Sequence, residues 1–186
     1  MAAGLVLASG SPQRRAILAQ LGLEFDVVVP EVAEREDGPA GEVAVHNAAL
    51  KARAVGGELV IGADTVVALD GRVHGKPRDR AEAEETLRTL AGRTHDVVSG
   101  VAVRRGRGPV ATAAAWTAVR FRVRDDDLLR WYLDSGEWRG RAGGYAIQGR
   151  GAALVAGIEG DYLNVVGLPL AALLDLVPDL LPRAPA

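Results

Sequence analysis

The most apolar run of this chain is Leu59-Val60-Ile61-Gly62-Ala63-Asp64-Thr65-Val66-Val67-Ala68-Leu69, and Asp64 is its only charged residue. An apolar run of this kind predicts a strand in the core of the protein. Burial of an unpaired carboxylate costs several kcal/mol, so a buried aspartate usually has a neutralising partner, binds a metal, or lies where a strand opens into a cleft. We therefore interpret Asp64 as a catalytic or metal-binding residue.

Predicted strands and helices alternate on both sides of this run, with no internal repeat. Ser11 and Asp79 are placed to cap helices, and an Asp70-Gly71 turn follows the central strand. Strands are expected at 5–8, 25–29, 59–69, 94–103 and 110–124, and helices at 12–21, 42–55, 79–90, 126–133 and 168–181. Strands mixed with helices, including a hairpin, predict an α/β fold with a mixed β-sheet flanked by helices.

Composition narrows the class of protein. The chain has 186 residues, of which 48% are hydrophobic, so we expect one substantial core and a single domain over 1–186. It contains no run of eighteen apolar residues and no secretory signal pattern, which predicts a cytoplasmic protein without a membrane partner. There are no cysteines, and the three histidines lack metal-ligand spacing, so any metal must be held by oxygen ligands.

The overall charge gives no reason to expect a nucleic-acid partner. The formal net charge is −2, and the one dense basic cluster, Arg104-Arg105-Gly106-Arg107, lies at a glycine-containing turn between two apolar runs. We interpret this cluster as the solvated end of a hairpin.

The segment Leu7-Ala8-Ser9-Gly10-Ser11-Pro12-Gln13-Arg14-Arg15 lies at a predicted junction between a strand and a helix. Ser11 can cap this helix and Pro12 suits its first position, so free backbone N–H groups point beyond the strand end. The Ser9 hydroxyl and the cations of Arg14 and Arg15 lie nearby, and this combination favours a phosphate site. The alternative is ordinary helix capping with two surface arginines.

Lysine is rare in this chain. Of 22 cationic side chains only Lys51 and Lys76 are lysines. A compact ammonium can fit among phosphate oxygens where a planar guanidinium cannot. Both lysines are therefore candidates for triphosphate contacts, although each could also be placed by chance.

Glu31, just after the second predicted strand, is the next carboxylate of interest. Strand ends converge at one edge of an α/β sheet, where ligands usually bind. Asp64 and Glu31 together could hold a divalent cation, because magnesium bound to triphosphates takes only one or two protein carboxylates. The alternative for Glu31 is a solvated residue of an acidic loop.

A glycine-rich segment, 143–151, contains Gln148. Glycines let a backbone approach a ligand closely, and a glutamine amide offers both a donor and an acceptor for the edge of a base. Gln148 could equally be a solvated loop residue.

Taken together, these segments resemble the Maf family of nucleoside triphosphate pyrophosphatases, from residue 5 to residue 170. The segments that carry the resemblance occur in the family's order and approximate spacing. They are Leu-Ala-Ser-Gly-Ser-Pro, Lys51-Ala52, Gly62-Ala63-Asp64-Thr65-Val66-Val67, Gly75-Lys76-Pro77, Ala91-Gly92-Arg93-Thr94-His95, Tyr-Ala-Ile-Gln-Gly and Asn-Val-Val-Gly-Leu-Pro-Leu.

The resemblance implies an inosine-triphosphatase-like fold and an enzyme that needs a divalent cation, Mg²⁺ or Mn²⁺. Such an enzyme hydrolyses a nucleoside triphosphate to the monophosphate and pyrophosphate. Asp64 matches the family's proton acceptor, and Glu31 matches an acidic position associated with the metal or the catalytic water. Positions of the family's phosphate cleft are matched by Ser9, Arg14, Lys51 and Lys76.

Within the family, Thr65 and Gln148 look like the branch that acts on dTTP and UTP. Gln13 departs from this branch, which commonly has arginine there, so a different base such as that of 7-methyl-GTP stays open. A nucleotide-sensing role in septum formation is the alternative from another functional class. The expected partners are the nucleotide and, as an open possibility, a second copy in a homodimer.

Overall fold

The computed structural model describes residues 4–123 and 125–181. Its seven strands are β1 (Leu5–Ala8), β2 (Asp26–Val27), β3 (Leu59–Leu69), β4 (Arg72–His74), β5 (Thr94–Arg105), β6 (Val110–Phe121) and β7 (Val155–Glu159). Its helices are α1 (Pro12–Gln20), α2 (Ala40–Ala54), α3 (Arg80–Leu90), α4 (Asp126–Ser135), α5 (Tyr162–Val166) and α6 (Leu170–Leu176), with short 3₁₀ turns at Ala142–Gly144 and Arg150–Leu154.

All seven strands form one mixed sheet in the order β2-β1-β3-β5-β6-β7, and β4 pairs with the end of β3. Strand β1 runs parallel to its two neighbours, β2 and β3, whereas the pairs β3–β5, β5–β6 and β6–β7 are antiparallel. The expected α/β fold with a mixed sheet is therefore confirmed. No helix among residues 4–123 and 125–181 has the length and hydrophobicity needed to span a membrane.

Helix α2 lies unusually close to the centre of the sheet. A Cβ atom on Gly62 or Gly100 would overlap the backbone of α2 at Ala48 or Ala44. These two glycines therefore let the alanine-rich face of α2 rest directly on β3 and β5. This close approach brings the polar side chains of α2 within reach of Asp64.

The ends of several elements differ from the predicted ones. Strand β2 is only two residues long, Asp26–Val27, and pairs with Val6 and Leu7 of β1. The predicted helix 168–181 is limited to Leu170–Leu176, between Pro169 and Pro178, and β4, β7 and α5 were not predicted. Residue 124, predicted as the end of a strand, and residues 1–3 and 182–186 of the predicted domain lie outside the described residues.

His95, the second residue of β5, is buried in the core against Tyr145. Its Nε2 lies 2.9 Å from the Tyr145 hydroxyl, and its ring contacts Phe121 and Tyr145 edge-on. Burial, helped by the charge of His74, lowers the pKa of His95 to about 4. The imidazole is therefore neutral in the folded protein at physiological pH.

We expect acid to destabilise the protein through His95. An unfolded histidine binds its proton near pH 6.5, so the unfolded state takes up more protons than the folded state between about 6.5 and about 4. The unfolding free energy should fall by about 3 kcal/mol across this window. Urea unfolding at several pH values measures this slope.

The variant His95→Gln should show a clearly smaller pH slope, because glutamine cannot titrate. His46→Gln, at an exposed position of α2, is the matched control and should keep the slope of the wild type. An unchanged slope in His95→Gln would assign the acid sensitivity to other groups.

Candidate active site

The candidate site lies at a gap in one edge of the sheet. Strand β1 pairs with β3 as far as Gly62, and β4 begins to pair with β3 at Val67. Residues 63–66 of β3 therefore pair with β5 on one side and with no other strand of the described chain on the opposite side. Asp64 and Thr65 lie in this gap, with their side chains on opposite faces of the strand.

Asp64 is held by two residues of α2 that are four positions apart. The ammonium of Lys51 lies 2.8 Å from one carboxylate oxygen, and the amide of Asn47 donates to the other at 3.0 Å. The Asp64 side chain is only 7% exposed. The buried carboxylate of Asp64 is therefore both ion-paired and hydrogen-bonded, which offsets the cost of burying its charge.

Lys51 joins Asp64 to a second carboxylate. Its Nζ atom lies 3.0 Å from Glu34, whose side chain is 36% exposed. The same ammonium points towards the carbonyl oxygen of Ala63 at 3.5 Å. Lys51 thus bridges a buried carboxylate and a carboxylate that faces solvent.

Asn47 connects the acidic loop 30–39 to Asp64 through hydrogen bonds. Its amide nitrogen donates to the carbonyl of Arg35 at 2.9 Å as well as to Asp64, and its oxygen accepts from the N–H of Arg35 at 2.8 Å. Both backbone groups of Arg35 are therefore bound by one side chain. This arrangement fixes the residue next to Glu34 relative to Asp64.

Arg14 organises the other face of the gap. Its guanidinium donates to the Ser9 hydroxyl at 2.9 Å, to the Thr65 hydroxyl at 3.0 Å and to the carbonyl of Gly167 at 2.8 Å. The Thr65 hydroxyl also lies 2.9 Å from that of Ser99. Arg14 is buried, so it connects the first helix, the central strand and the turn before α6.

Burial and charge act in opposite directions on the two key ionisable groups. Burial alone raises the pKa of Asp64, but the charge and hydrogen bond of Lys51, the hydrogen bond of Asn47 and the charge of Arg14 outweigh it and lower this pKa. Burial lowers the pKa of Arg14, while the charges of Asp64 and Glu34 oppose that shift. Asp64 is therefore ionised at neutral pH and faces two cations.

The remaining predicted site residues lie at or near the protein surface. Arg15, Glu31, Lys76 and Gln148 are exposed, and Gln13 accepts a hydrogen bond from the Ser11 hydroxyl at 3.2 Å. The Gly143 N–H donates to the carbonyl of Gly75 at 2.9 Å. The turn that carries Lys76 is thus attached to the segment that carries Gln148, and Ser11 caps α1 as predicted.

A separate cavity lies at the far end of α2. Its volume is about 700 Å³, and Arg53, Arg104 and Arg107 line it. It contains none of the predicted site residues. Of the predicted site residues, the hydrogen bonds at the gap connect Ser9, Arg14 and Thr65 on one face and Lys51 and Asp64 on the other.

Glu34 and Asn47 were missed by the sequence reasoning. Glu34 is one of four acidic residues in a loop without periodicity, so nothing in the pattern distinguishes it from Glu31. Asn47 is an uncharged residue inside a predicted helix. Its spacing of four from Lys51 was the available signal, because residues four apart share one helix face.

Two comparisons of sequence agree on the family. The model of the Maf family, described as Maf-like protein, matches residues 4–180. A dTTP/UTP pyrophosphatase of Symbiobacterium thermophilum is 51% identical over 89% of this chain and 88% of its own. A dTTP/UTP pyrophosphatase of Moorella thermoacetica is 50% identical over 93% of each chain.

Among solved structures, a nucleoside-triphosphatase / dITP/XTP pyrophosphatase of Mycobacterium abscessus is similar over 63% of this chain and 73% of its own, with a TM-score of 0.43 and 22% identity. The family match covers nearly the whole described chain, and the relatives are aligned over most of their length. This chain belongs to the Maf family.

Proposed function

We propose that this protein is a nucleoside triphosphate pyrophosphatase that hydrolyses dTTP and UTP to the monophosphate and pyrophosphate. The observation that carries the proposal is the ionised carboxylate of Asp64, held between Lys51 and Asn47 at a gap in the sheet. The two relatives at about 50% identity bear the name of this activity. We further propose that the whole chain acts as one domain on free cytoplasmic nucleotides, without nucleic acid or membrane.

In the proposed reaction a water molecule attacks the α-phosphorus, and Asp64 accepts a proton from that water. The bond from the α-phosphorus to the oxygen that bridges to the β-phosphate breaks, and pyrophosphate leaves with this oxygen. The lowered pKa of Asp64 keeps the carboxylate free to accept the proton at neutral pH. Asn47 holds the carboxylate in a fixed orientation.

Positive side chains on both sides of the gap would bind the triphosphate. Arg14 is fixed by three hydrogen bonds but retains further N–H groups, because a guanidinium has five. Lys76 and Arg15 are exposed and can move towards a ligand. Cations arranged in advance stabilise the charge that develops on the phosphoryl oxygens.

Glu34 and Asp64 fit a divalent cation whose other ligands are phosphate oxygens of the substrate. Among residues 4–123 and 125–181 no group of three or more histidines and carboxylates is arranged to hold a metal, but Glu34 and Asp64 share the Lys51 ammonium. Two carboxylates and phosphate oxygens suffice for Mg²⁺ or Mn²⁺. When bound, such an ion neutralises phosphate charge and makes pyrophosphate a better leaving group.

We expect Glu34, rather than Glu31, to be the acidic residue that serves the cation. Glu34→Gln should lower turnover about 10- to 100-fold and raise the Mg²⁺ concentration needed for half-maximal rate. Glu31→Gln, in the same loop but without a contact to Lys51, is the matched control and should stay near the wild type. A larger loss of turnover in Glu31→Gln than in Glu34→Gln would show that Glu31, the residue expected from the sequence, serves the cation.

We expect Gln148 to affect the choice of base. Gln148→Ala removes a donor and an acceptor from an exposed loop residue, so the ratio of kcat/KM between dTTP or UTP and the other nucleotides should change. The measurement is kcat/KM for dTTP, UTP, CTP and GTP in both proteins. Equal losses on every nucleotide would argue against base recognition by Gln148.

The proposed function is tested by pyrophosphate release from dTTP, UTP, CTP, GTP and 7-methyl-GTP, each with and without Mg²⁺ or Mn²⁺. We expect metal-dependent release that is fastest with dTTP and UTP. Preference for 7-methyl-GTP would show that the enzyme with Gln13 prefers a different base from that of the dTTP/UTP branch. Binding of nucleotides without release from any of them would favour a nucleotide sensor over an enzyme.

A further inference from the structure

The loop that carries Gln148 is hydrogen-bonded on both sides to α4 and to the turn that follows it. The N–H of Ala146 donates to the Tyr132 hydroxyl at 3.2 Å, and the N–H of Arg150 donates to the Glu137 carboxylate at 2.7 Å. Gln148 lies midway, two residues from each of these N–H groups. The backbone before Gln148 and the backbone after it are therefore held by the same short segment of the chain.

Glycines let this loop turn tightly against Glu137. The N–H of Gly149 donates to the carbonyl of Ala146 at 3.2 Å, which closes a turn that contains Gln148. A Cβ atom on Gly149 would overlap the Glu137 carboxylate, and one on Gly151 would overlap the backbone of Ala146. Glycine at these two positions therefore leaves the room that both contacts need.

The segment that holds the loop is itself fixed by the core. Tyr132 is fully buried, and its carbonyl oxygen accepts a hydrogen bond from the Ser135 hydroxyl at 2.6 Å. That hydroxyl in turn accepts from the N–H of Glu137 at 3.1 Å. Trp138, the next residue, is also buried, and its indole N–H donates to the carbonyl of Leu133 at 3.2 Å. The backbone of Glu137 is therefore fixed, which limits where its carboxylate can reach.

The side chain of Gln148 is the part of this loop that stays free. It is exposed and has no hydrogen-bond partner within the described chain. A ligand that orders a free glutamine side chain costs it conformational entropy, and a mobile backbone beneath it would add to that cost. The hydrogen bonds of Ala146 and Arg150 remove the backbone contribution in advance. The loop thus presents an unpaired amide on a backbone that is already fixed, as a selective contact with a ligand requires.

We propose that Glu137 is a positioning residue for base selection. Its carboxylate holds the backbone after Gln148, so that the Gln148 amide meets the edge of the nucleotide base, and Tyr132 holds the backbone before Gln148. The role of Glu137 rests on the proposed function, in which Gln148 contacts the base of a nucleoside triphosphate. Uracil and thymine carry a carbonyl beside an N–H, and one glutamine amide can bond to both groups.

The first test removes the Glu137 carboxylate. Glu137→Ala frees the N–H of Arg150, so the ratio of kcat/KM for dTTP or UTP to that for CTP or GTP should shift about tenfold, in the same direction as in Gln148→Ala. Glu137→Gln keeps an oxygen that can accept this hydrogen bond and should keep the ratio of the wild type. Asp134→Ala removes an exposed carboxylate from the end of α4, and as the matched control it should also keep that ratio. An unchanged ratio in Glu137→Ala, or an equal loss on every nucleotide, would overturn the proposal.

The second test separates the positioning of Gln148 from a general effect on the fold. Because Glu137 acts through Gln148, the double variant Gln148→Ala/Glu137→Ala should have the same ratio as Gln148→Ala alone. A further shift of the ratio in the double variant would show that Glu137 affects base selection by another route, and would overturn the proposal.

A missing role of Glu137 and a missing pyrophosphatase activity give different results. If the wild type releases no pyrophosphate from any nucleotide, the proposed function is wrong, and the same ratios are taken from the dissociation constants of the four nucleotides. If the wild type is active and Gln148→Ala shifts the ratio but Glu137→Ala does not, only the role of Glu137 is wrong. An unchanged ratio in Gln148→Ala would overturn base recognition by Gln148 and the role of Glu137 together.

Discussion

Asp64→Asn should reduce pyrophosphate release about 10³-fold while the protein remains folded. The amide cannot accept the proton of the attacking water. Lys51 keeps Glu34 as an ion-pair partner at 3.0 Å, so it does not become an isolated buried charge. The new amide nitrogen faces the Asn47 donor, and this mismatch should cost roughly 1–3 kcal/mol of unfolding free energy.

The matched control is Asp70→Asn, the same substitution in the turn that follows the same strand. Asp70 is exposed and pairs with Arg93 at the surface, so turnover should be near normal. Turnover and nucleotide affinity should be measured together, because loss of a proton acceptor lowers kcat without a comparable loss of binding. Near-normal turnover in Asp64→Asn would remove Asp64 from the role of base.

The centre of the fold was predictable because its sequence signals agree with each other. The apolar run, the Asp70-Gly71 turn and the Asp79 cap all specify local structure, and β3 and the end of α3 lie where they were expected. Asp64 was recognisable because a charge inside an apolar strand has few explanations. Its partner Lys51 was recognisable because lysine is rare in this chain.

The rest of the site depends on contacts that no local pattern specifies. The loop 30–39 has four acidic residues, and only the hydrogen bonds from Asn47 to Arg35 determine that Glu34 reaches Lys51. The chain after Gly140 is divided by glycines and prolines into short elements. Their order follows from packing against β6 and α1 rather than from hydrophobic periodicity.

We expect Lys51 to determine part of the way in which the unfolding free energy depends on pH. Because it helps to keep the pKa of Asp64 below its usual value, the pair stabilises the folded state above about pH 4. This contribution is lost as the pH falls through the lowered pKa, since the protonated carboxyl no longer attracts the ammonium. Without Lys51, burial should raise the pKa of Asp64, and the stabilisation should disappear at neutral pH.

Lys51→Met should therefore lose about 3–5 kcal/mol of unfolding free energy at neutral pH, because a buried carboxylate is left without its ion-pair partner. The difference from the wild type should shrink as the pH is lowered towards 4, and the acid limb of kcat/KM should move to higher pH. Urea unfolding and rate profiles measure both effects. Arg53→Met, an exposed cation on the same helix, should change neither. An equal loss at neutral and acid pH would identify lost packing, rather than charge, as the cause.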